Sequence, residues 1–425
     1  MAKLYLSFLG TTNYHPCTYT FAACEIPGVR FVQEATIKSF CANWTPQDRI
    51  LIFTTAEANQ KNWLDNGHTD SSGAVIPQAG LQSRLQRLSL APSFKDIAIP
   101  EGKSQEEIWQ IFQIIIEQLQ DGDEVVFDIT HGFRSIPLLA IVVLSYARVM
   151  KKIAIQGIYY GAFEAKQGDT APIFDLTEFD VLLEWTTALD RFIKAGDATL
   201  ACELAADEVR KRRREIKRPD QILQAFQKVT GQLNNFSLSL ATCRGLKISP
   251  IVSELKDTLQ RCVGLPGKRP YINLLEKVQH ELAAFPGDHV RDGLAAAQWC
   301  ADHNLIQQGF TILQETLISY FTLHVLKDDL VTPTSRHLMN QSIHILCKNL
   351  PEEEWAEPAR SNRQKVAAII AAIQSYPAIV KKFRDLGNDR NDINHAGYTA
   401  SPMGAERFAT KLRDYINTFQ EFFGR

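Results

Sequence analysis

Residues 124–150 constrain the fold more than any other stretch. Glu124-Val125-Val126-Phe127 is a short β-branched and aromatic run that predicts a buried strand. Residues 138–150 are apolar over a helical length. Between them stand Asp128, Ile129, Thr130, His131, Gly132, Phe133, Arg134, Ser135, Ile136 and Pro137, so the decapeptide is a strand-to-helix turn. A buried strand feeding a helix in this way predicts a parallel sheet covered by helices. Gly132 lets backbone approach a ligand closely. Thr130, His131 and Arg134 place donors beside a helix N-terminus, which favours anions. Pro137 sits where a first-turn proline is tolerated. The plainer alternative is an ordinary βα loop with a buried aspartate and a capping threonine.

The rest of the first 178 residues repeats the pattern. Residues 4–9 read as a first strand that ends in Gly10-Thr11-Thr12-Asn13-Tyr14. This loop is small and polar, but it is not the G-x-G-x-x-G dinucleotide fingerprint. Residues 49–53 read as a further strand ending in Thr54 and Thr55, with a helix over 56–64 and a mobile loop over 66–80. Residues 103–119 predict a helix whose core face is Ile108, Phe112, Ile115 and Leu119. Residues 153–160 predict another strand. The strands at 4–9, 49–53 and 124–129 all end in Thr, Asn, His or Arg. In an open α/β sheet those ends converge on one rim, which predicts a single pocket.

From residue 179 onward strand signals almost vanish. Leu182, Trp185, Leu189 and Ile193 space as one helix face. Ile306, Phe310, Leu313, Leu317 and Tyr320 form a second stripe that His324 continues, so His324 reads as a core or interface histidine. Residues 210–214 are a basic run on a predicted helix, with Lys217 and Arg218 close behind, and such a run is more often a solvated face than a contact for RNA phosphates. Residues 1–178 are therefore one α/β domain and 179–425 an all-helical one, with about 195–295 a possible helical linker or insertion. The formal net charge of -2 argues against a sequence-blind coat for nucleic acid. Eight scattered cysteines without a C-x-x-C pair support no zinc ribbon and suit a reducing cytoplasm. No apolar stretch reaches membrane-spanning length, so a cytoplasmic protein is expected.

The string Asp128-x-Thr130-His131-Gly132-x-Arg134-x-x-Pro137 resembles the signature of CRISPR-associated proteins of type III systems. Those join a CRISPR-associated Rossmann-fold (CARF) sensor to a HEPN ribonuclease domain. A second string supports the resemblance. Arg390-Asn391-x-x-x-His395 is similar to the R-x-x-x-x-H motif of HEPN ribonucleases. At 3.6 residues per turn, five residues set Arg390 and His395 roughly 140° apart, whereas Asn391 and His395 share a stripe. A long arginine could lean across, or two copies of the motif could meet at a dimer axis. A histidine titrating near neutrality can move the proton of a ribose 2′-OH. A guanidinium can hold the phosphoryl oxygens as charge builds.

The resemblance implies an α/β Rossmann-like sensor with a mostly parallel sheet, followed by an all-α HEPN domain. It implies a single-stranded RNA endonuclease switched on by cyclic oligoadenylate, tetra-adenylate ahead of hexa-adenylate, and independent of metal. Catalysis would rest on Arg390, Asn391 and His395. The ligand would meet Gly10, Thr11, Thr12, Asn13, Thr54, Thr130, His131, Gly132 and Arg134. A homodimer or higher even-numbered oligomer is expected, with no resident cofactor and no membrane partner. The competing class is a ligand-gated transcription regulator whose helical half reads DNA, with the basic run from Arg210 as its only support.

Overall fold

The computed structural model describes residues 2–131, 136–215, 221–263, 269–374 and 376–423. Gly132 and Arg134 lie outside the described residues, as do Lys217, Arg218 and the side chains of 211–214. The chain divides into two compact units, Met1–Val181 and Leu182–Arg425.

The first unit is built on strands β1 (Lys3–Leu9), β2 (Cys17–Phe21), β3 (Cys24–Val29), β4 (Arg49–Thr54), β5 (Ser93–Ala98), β6 (Glu124–Asp128), β7 (Ala154–Gly161) and β8 (Thr170–Asp175). They form one sheet in the order β3-β2-β8-β7-β6-β1-β4-β5. Only the β2–β3 and β7–β8 pairs are antiparallel, so the sheet is mostly parallel, as expected. Helices α1 (Val32–Phe40), α2 (Ala56–Ala58), α3 (Leu81–Gln86), α4 (Gln105–Gln118) and α5 (Ile136–Lys151) accompany it.

Alternation along β1 explains why helices must cover both faces. Leu4, Leu6 and Phe8 are buried with Leu51, Phe53, Val125 and Phe127, against Ile111 and Ile115 of α4 and Val143, Leu144 and Ala147 of α5. Tyr5 and Leu9 point the other way, into a core with Ile50, Ile52 and Val126, closed by Val32, Ala35 and Ile37 of α1 and Leu81 and Leu85 of α3. Strands buried on both faces read as continuous apolar runs. The core face of α4 is turned slightly from the expected one: Ile111, Ile115 and Ile116 are buried, and Ile108 is only half-buried.

The second unit is helical throughout. It holds most of α6 (Thr177–Ala195), then α7 (Thr199–Glu215), α8 (Gln221–Ala241), α9 (Gly245–Val263), α10 (Arg269–Glu281), α11 (His289–Asp302), α12 (Ile306–Tyr320), α13 (Pro333–Lys348), α14 (Arg363–Gln374), α15 (Pro377–Asn394) and α16 (Ala405–Phe423). The stretch at 195–295 thus forms helices that pack within this unit, α8 on α9 and α9 on α11. Phe310, Leu313 and Leu317 are fully buried, as their stripe requires. His324 is exposed and is not part of the core. Residues Phe321–Val325 adopt a π-turn, whose wider winding shifts the phase of the stripe and swings His324 outward.

Candidate functional site

The rim formed by the carboxyl ends of β1, β4 and β6 holds the first candidate site. Register places Leu9 beside Thr54 and Ser7 beside Asp128, so the three strands end together. After the β2–β3 hairpin at the far edge, the chain lays β4 and β5 outward on one side of β1 and then β6 and β7 outward on the other. The winding reverses between β1 and β6, and such a reversal opens a crevice at the carboxyl ends of the strands.

The residues after β1 and β6 meet across that crevice. The rings of Tyr14 and His131 lie 4.5 Å apart between centroids. Gly10 is held between them: a Cβ built on it would sit 2.2 Å from Tyr14 Oη and 3.8 Å from His131 Cβ. Gly10 therefore serves close approach, because any larger residue would displace Tyr14.

Asp128 is fully buried and holds the crevice together. Its Oδ1 accepts from Thr130 N at 3.0 Å and from Thr130 Oγ1 at 2.5 Å. Its Oδ2 accepts from Tyr5 Oη at 2.9 Å and Thr36 Oγ1 at 3.0 Å. Burial pushes its carboxyl pKa up, against the pull of those donors. The Thr130 hydroxyl also accepts from Gly161 N at 2.8 Å, so it is engaged on both sides. Thr54 is buried at 1% exposure. Thr130 and Thr54 accordingly shape the rim and offer it no free hydroxyl. Thr55 caps α2 by accepting from Ala58 N.

The loop after β1 is held by residues that sequence reasoning did not single out. The Asn62 amide donates to Gly10 O at 2.8 Å and Thr12 O at 2.9 Å. Arg30, only 6% exposed, donates to Tyr14 O, Ala79 O and Asn13 Oδ1. These partners are carbonyl oxygens, so a desolvated positive charge sits directly under the loop, a setting that attracts an anion above it. His68 Nε2 lies 3.0 Å from Asn62 Oδ1. Asn13 gives its oxygen to Arg30, which leaves its two amide hydrogens for a ligand. Thr11 is half-buried and Thr12 exposed.

His131 Nε2 is buried without a partner. Burial lowers the His131 pKa from its usual value to about 4, so at neutral pH it offers a neutral imidazole and no positive charge. The unfolded chain then binds more protons than the folded one between about pH 4 and the unperturbed value near 6.5. The stability tied to this histidine is fully present above about pH 6.5 and is lost as pH falls through that window. From pH 7 to pH 5 wild type should lose roughly 2 kcal/mol more than His131→Gln, by denaturant unfolding at the two pH values. Equal losses in both proteins would show that His131 is not held neutral.

The second candidate site lies at the end of α15. Asp389 anchors this helix to α16, accepting from Lys411 Nζ at 2.8 Å and Tyr415 Oη at 2.6 Å. Arg390 follows. Its Nη2 donates to Asn391 Oδ1 at 3.3 Å and its Nε is buried without a partner. The arginine thus leans toward the Asn391 face. The helix ends at Asn394 and His395 is its cap, exposed, with Ala396 and Gly397 both in the left-handed region at φ 54° and 72°. Ala396 N donates to Ile393 O and Gly397 N to Asp392 O, so the turn that ends the helix closes on Gly397. The structure therefore brings Arg390 and Asn391 into contact, with His395 one turn beyond Asn391. Among the described residues, no group of three or more His, Cys, Asp or Glu side chains is placed to hold a metal ion. No single helix among them is long and apolar enough to cross a membrane.

Fold and rim together define a Rossmann-like α/β domain with a ligand-type crevice, followed by an all-helical region. Residues 4–164 match the family model described as "CRISPR system endoribonuclease Csx1, CARF domain". The N-terminal unit is thus a CARF-type domain. The chain is also 27% identical over 224 residues to "CRISPR-associated protein MJ1674" of Methanocaldococcus jannaschii. That match covers 52% of this chain and 32% of the relative, so the chain spans about a third of the length of the relative it matches.

Proposed function

We propose that this chain is a homodimeric, cyclic oligoadenylate-activated endoribonuclease of type III CRISPR defence, acting on single-stranded RNA in the cytoplasm. The observation that carries this reading is a coincidence of place. The stretch matched to the CARF model, 4–164, includes both halves of the crevice, the loop after β1 and the turn after β6. The sensor residues are Gly10, Thr11, Thr12, Asn13 and His131, with Gly132 and Arg134 next in the sequence. The relative's printed description, a CRISPR-associated protein, agrees with that biological setting.

Arg390, Asn391 and His395 carry the chemistry. The ribose 2′-OH attacks its own 3′ phosphate, His395 moves the proton, and the Arg390 guanidinium holds the phosphoryl oxygens. The products are a 2′,3′-cyclic phosphate or 3′-phosphate and a 5′-hydroxyl.

Helix α5 supports the dimer. One side of it is buried, yet Leu138, Ile141, Val142, Tyr146, Val149 and Met150 form an exposed apolar stripe on the other, with Leu138 69% and Val149 78% exposed. A helix apolar all round needs cover on both sides. Because α5 begins just after the crevice turn, a second copy seated on this stripe brings two crevices side by side about a two-fold axis.

Labelled single-stranded RNA incubated with the protein, with and without cyclic oligoadenylates, tests the reading. Cleavage that depends on the ring and leaves 5′-hydroxyl ends is expected. Ring-independent cleavage, or a footprint on duplex DNA without RNA cleavage, would overturn it.

A further inference from the structure

A cavity of about 350 Å³ lies beside the end of α15. Asp392 and Ile393 wall it from within the Arg390–His395 string, Ala396 and Gly397 from just after His395, and Gln307, Met403 and Phe408 from neighbouring segments. We propose that this cavity is a base-reading subsite: it takes an RNA nucleobase flanking the scissile phosphate and selects bases that carry an exocyclic amine. The proposal rests on the ribonuclease reading above and names the selectivity of that same site.

Size fits first. An apolar cavity of about 150 Å³ holds a benzene ring, so this one has room for a purine and part of its ribose. Position fits next. The cavity is bounded by residues on both sides of His395, so a base seated in it keeps its own phosphate within reach of that histidine. The walls suit a base face: Ile306, Ile393, Met403 and Phe408 are apolar, and aromatic side chains are the usual stacking partners of splayed RNA bases.

The polar groups decide which base. No lysine or arginine lines the cavity, so it does not hold the phosphate. Asp392 Oδ2 accepts from Met403 N at 2.9 Å, while Oδ1 is buried without a partner. Gln307, an exposed residue of the cavity lining, donates Nε2 to Asn394 Oδ1 at 3.1 Å, so its carbonyl oxygen is not used in that bond. Both polar groups left over are acceptors. Adenine and cytosine present an exocyclic amine and guanine adds a ring N–H beside its own, so each brings donors to that wall. Uracil brings carbonyl oxygens on either side of one N–H, and those would face acceptor oxygens. A site built to pair buried polar groups rejects a partner that leaves them unpaired.

The test uses the full chain with activator and a single-stranded RNA carrying one cleavable ribonucleotide in a 2′-O-methyl background. Both bases flanking the scissile phosphate are uridine in the reference, and each is replaced in turn by A, C or G. At least tenfold higher kcat/KM is expected for an amine-bearing base at one of the two positions. Purine riboside, which lacks the amine of adenosine, should fall to the uridine level. Ala405→Leu, which fills the cavity from the exposed start of α16, should remove the preference, so that A, C and G are cleaved no faster than uridine. Because Asp392 also holds Met403 N, Asp392→Asn serves only as a second variant, expected to lose the preference too. Equal rates for all bases in wild type, or a preference that survives Ala405→Leu, would overturn the proposal. Equilibrium binding of fully 2′-O-methyl versions separates the two readings. Amine preference in binding without any cleavage removes the ribonuclease reading and keeps the subsite; cleavage without amine preference in binding or rate does the reverse.

Discussion

His395→Ala and Arg390→Ala should each lower activated RNA cleavage by at least about 10²-fold while leaving activator binding unchanged. The size follows from the two roles. A positioned acid–base group contributes about 10²–10⁴ and a group that holds developing negative charge about 10²–10³. The structure makes Arg390 a suitable charge holder, because its Nε is buried without a partner and its Nη2 rests on a neutral amide, Asn391 Oδ1. A guanidinium already paired with a carboxylate would have less to give a phosphate. Asp389, the adjacent carboxylate, is taken by Lys411 and Tyr415 instead.

Asn391→Ala should cost less, because it removes the rest for Arg390 but neither reacting group. The measurements are single-turnover cleavage of labelled RNA and calorimetric binding of the ring to each variant. Full cleavage by either alanine variant would remove the site from residues 390–395. Loss of ring binding together with cleavage would mean that the substitution had damaged the fold.

What could be read in the sequence followed from burial. Strands β1, β4 and β6 are central, paired in parallel on both sides and mostly buried, and each shows as a largely apolar run. The strands that went unread lie toward the edges. In β3 (Cys24–Val29) only Val29 is buried and the run contains Pro27 and Gly28. In β8 (Thr170–Asp175) Pro172 breaks the pattern, and β5 (Ser93–Ala98) has no fully buried residue. The true edges, β3 and β5, tolerate proline and charge because one side needs no partner, and this removes their signal, whereas β8 is paired on both sides and loses its signal to Pro172.

The same logic divides the crevice. Gly10, Asn13 and His131 stand in short loops at strand ends and were legible from position alone. Thr130 and Thr54 were legible too, but not their use, because which partner a hydroxyl meets depends on segments far away, such as Gly161, whose N–H donates to Thr130. Arg30 and Asn62 carried no local signal. Arg30 sits between an unread strand and the helix after it, and its partners come from two separate loops, Asn13 and Tyr14 from one and Ala79 from the other. A long-range polar network has no periodicity to betray it.

The activator should be a ring with an even number of adenylates, bound once per dimer, and a three-membered ring should bind more weakly by several orders of magnitude. Each chain supplies one loop after β1 and one turn after β6, so one crevice per protomer. With α5 stripes paired, two crevices face one another across a two-fold axis, and every donor appears twice. The free amide hydrogens of Asn13 and the unpartnered Nε2 of His131 are such donors or acceptors, as is the field of the buried Arg30 beneath each loop. A ring lying on the axis meets both sets equally only if it has two-fold symmetry itself. Rings of four and six have it; rings of three and five do not. An odd ring leaves part of one set facing the wrong atoms, at roughly 1–3 kcal/mol for each buried group left unpaired. Two or three such losses amount to several decades, since each 1.4 kcal/mol is about tenfold. The four-membered ring should act ahead of the six-membered one because the loops are short: only Gly10 to Pro16 separates β1 from β2. Calorimetric titration with rings of three, four and six checks this directly. One ring per chain, or tightest binding of the three-membered ring, would sink both the dimer through α5 and the crevice as the place where the ring sits.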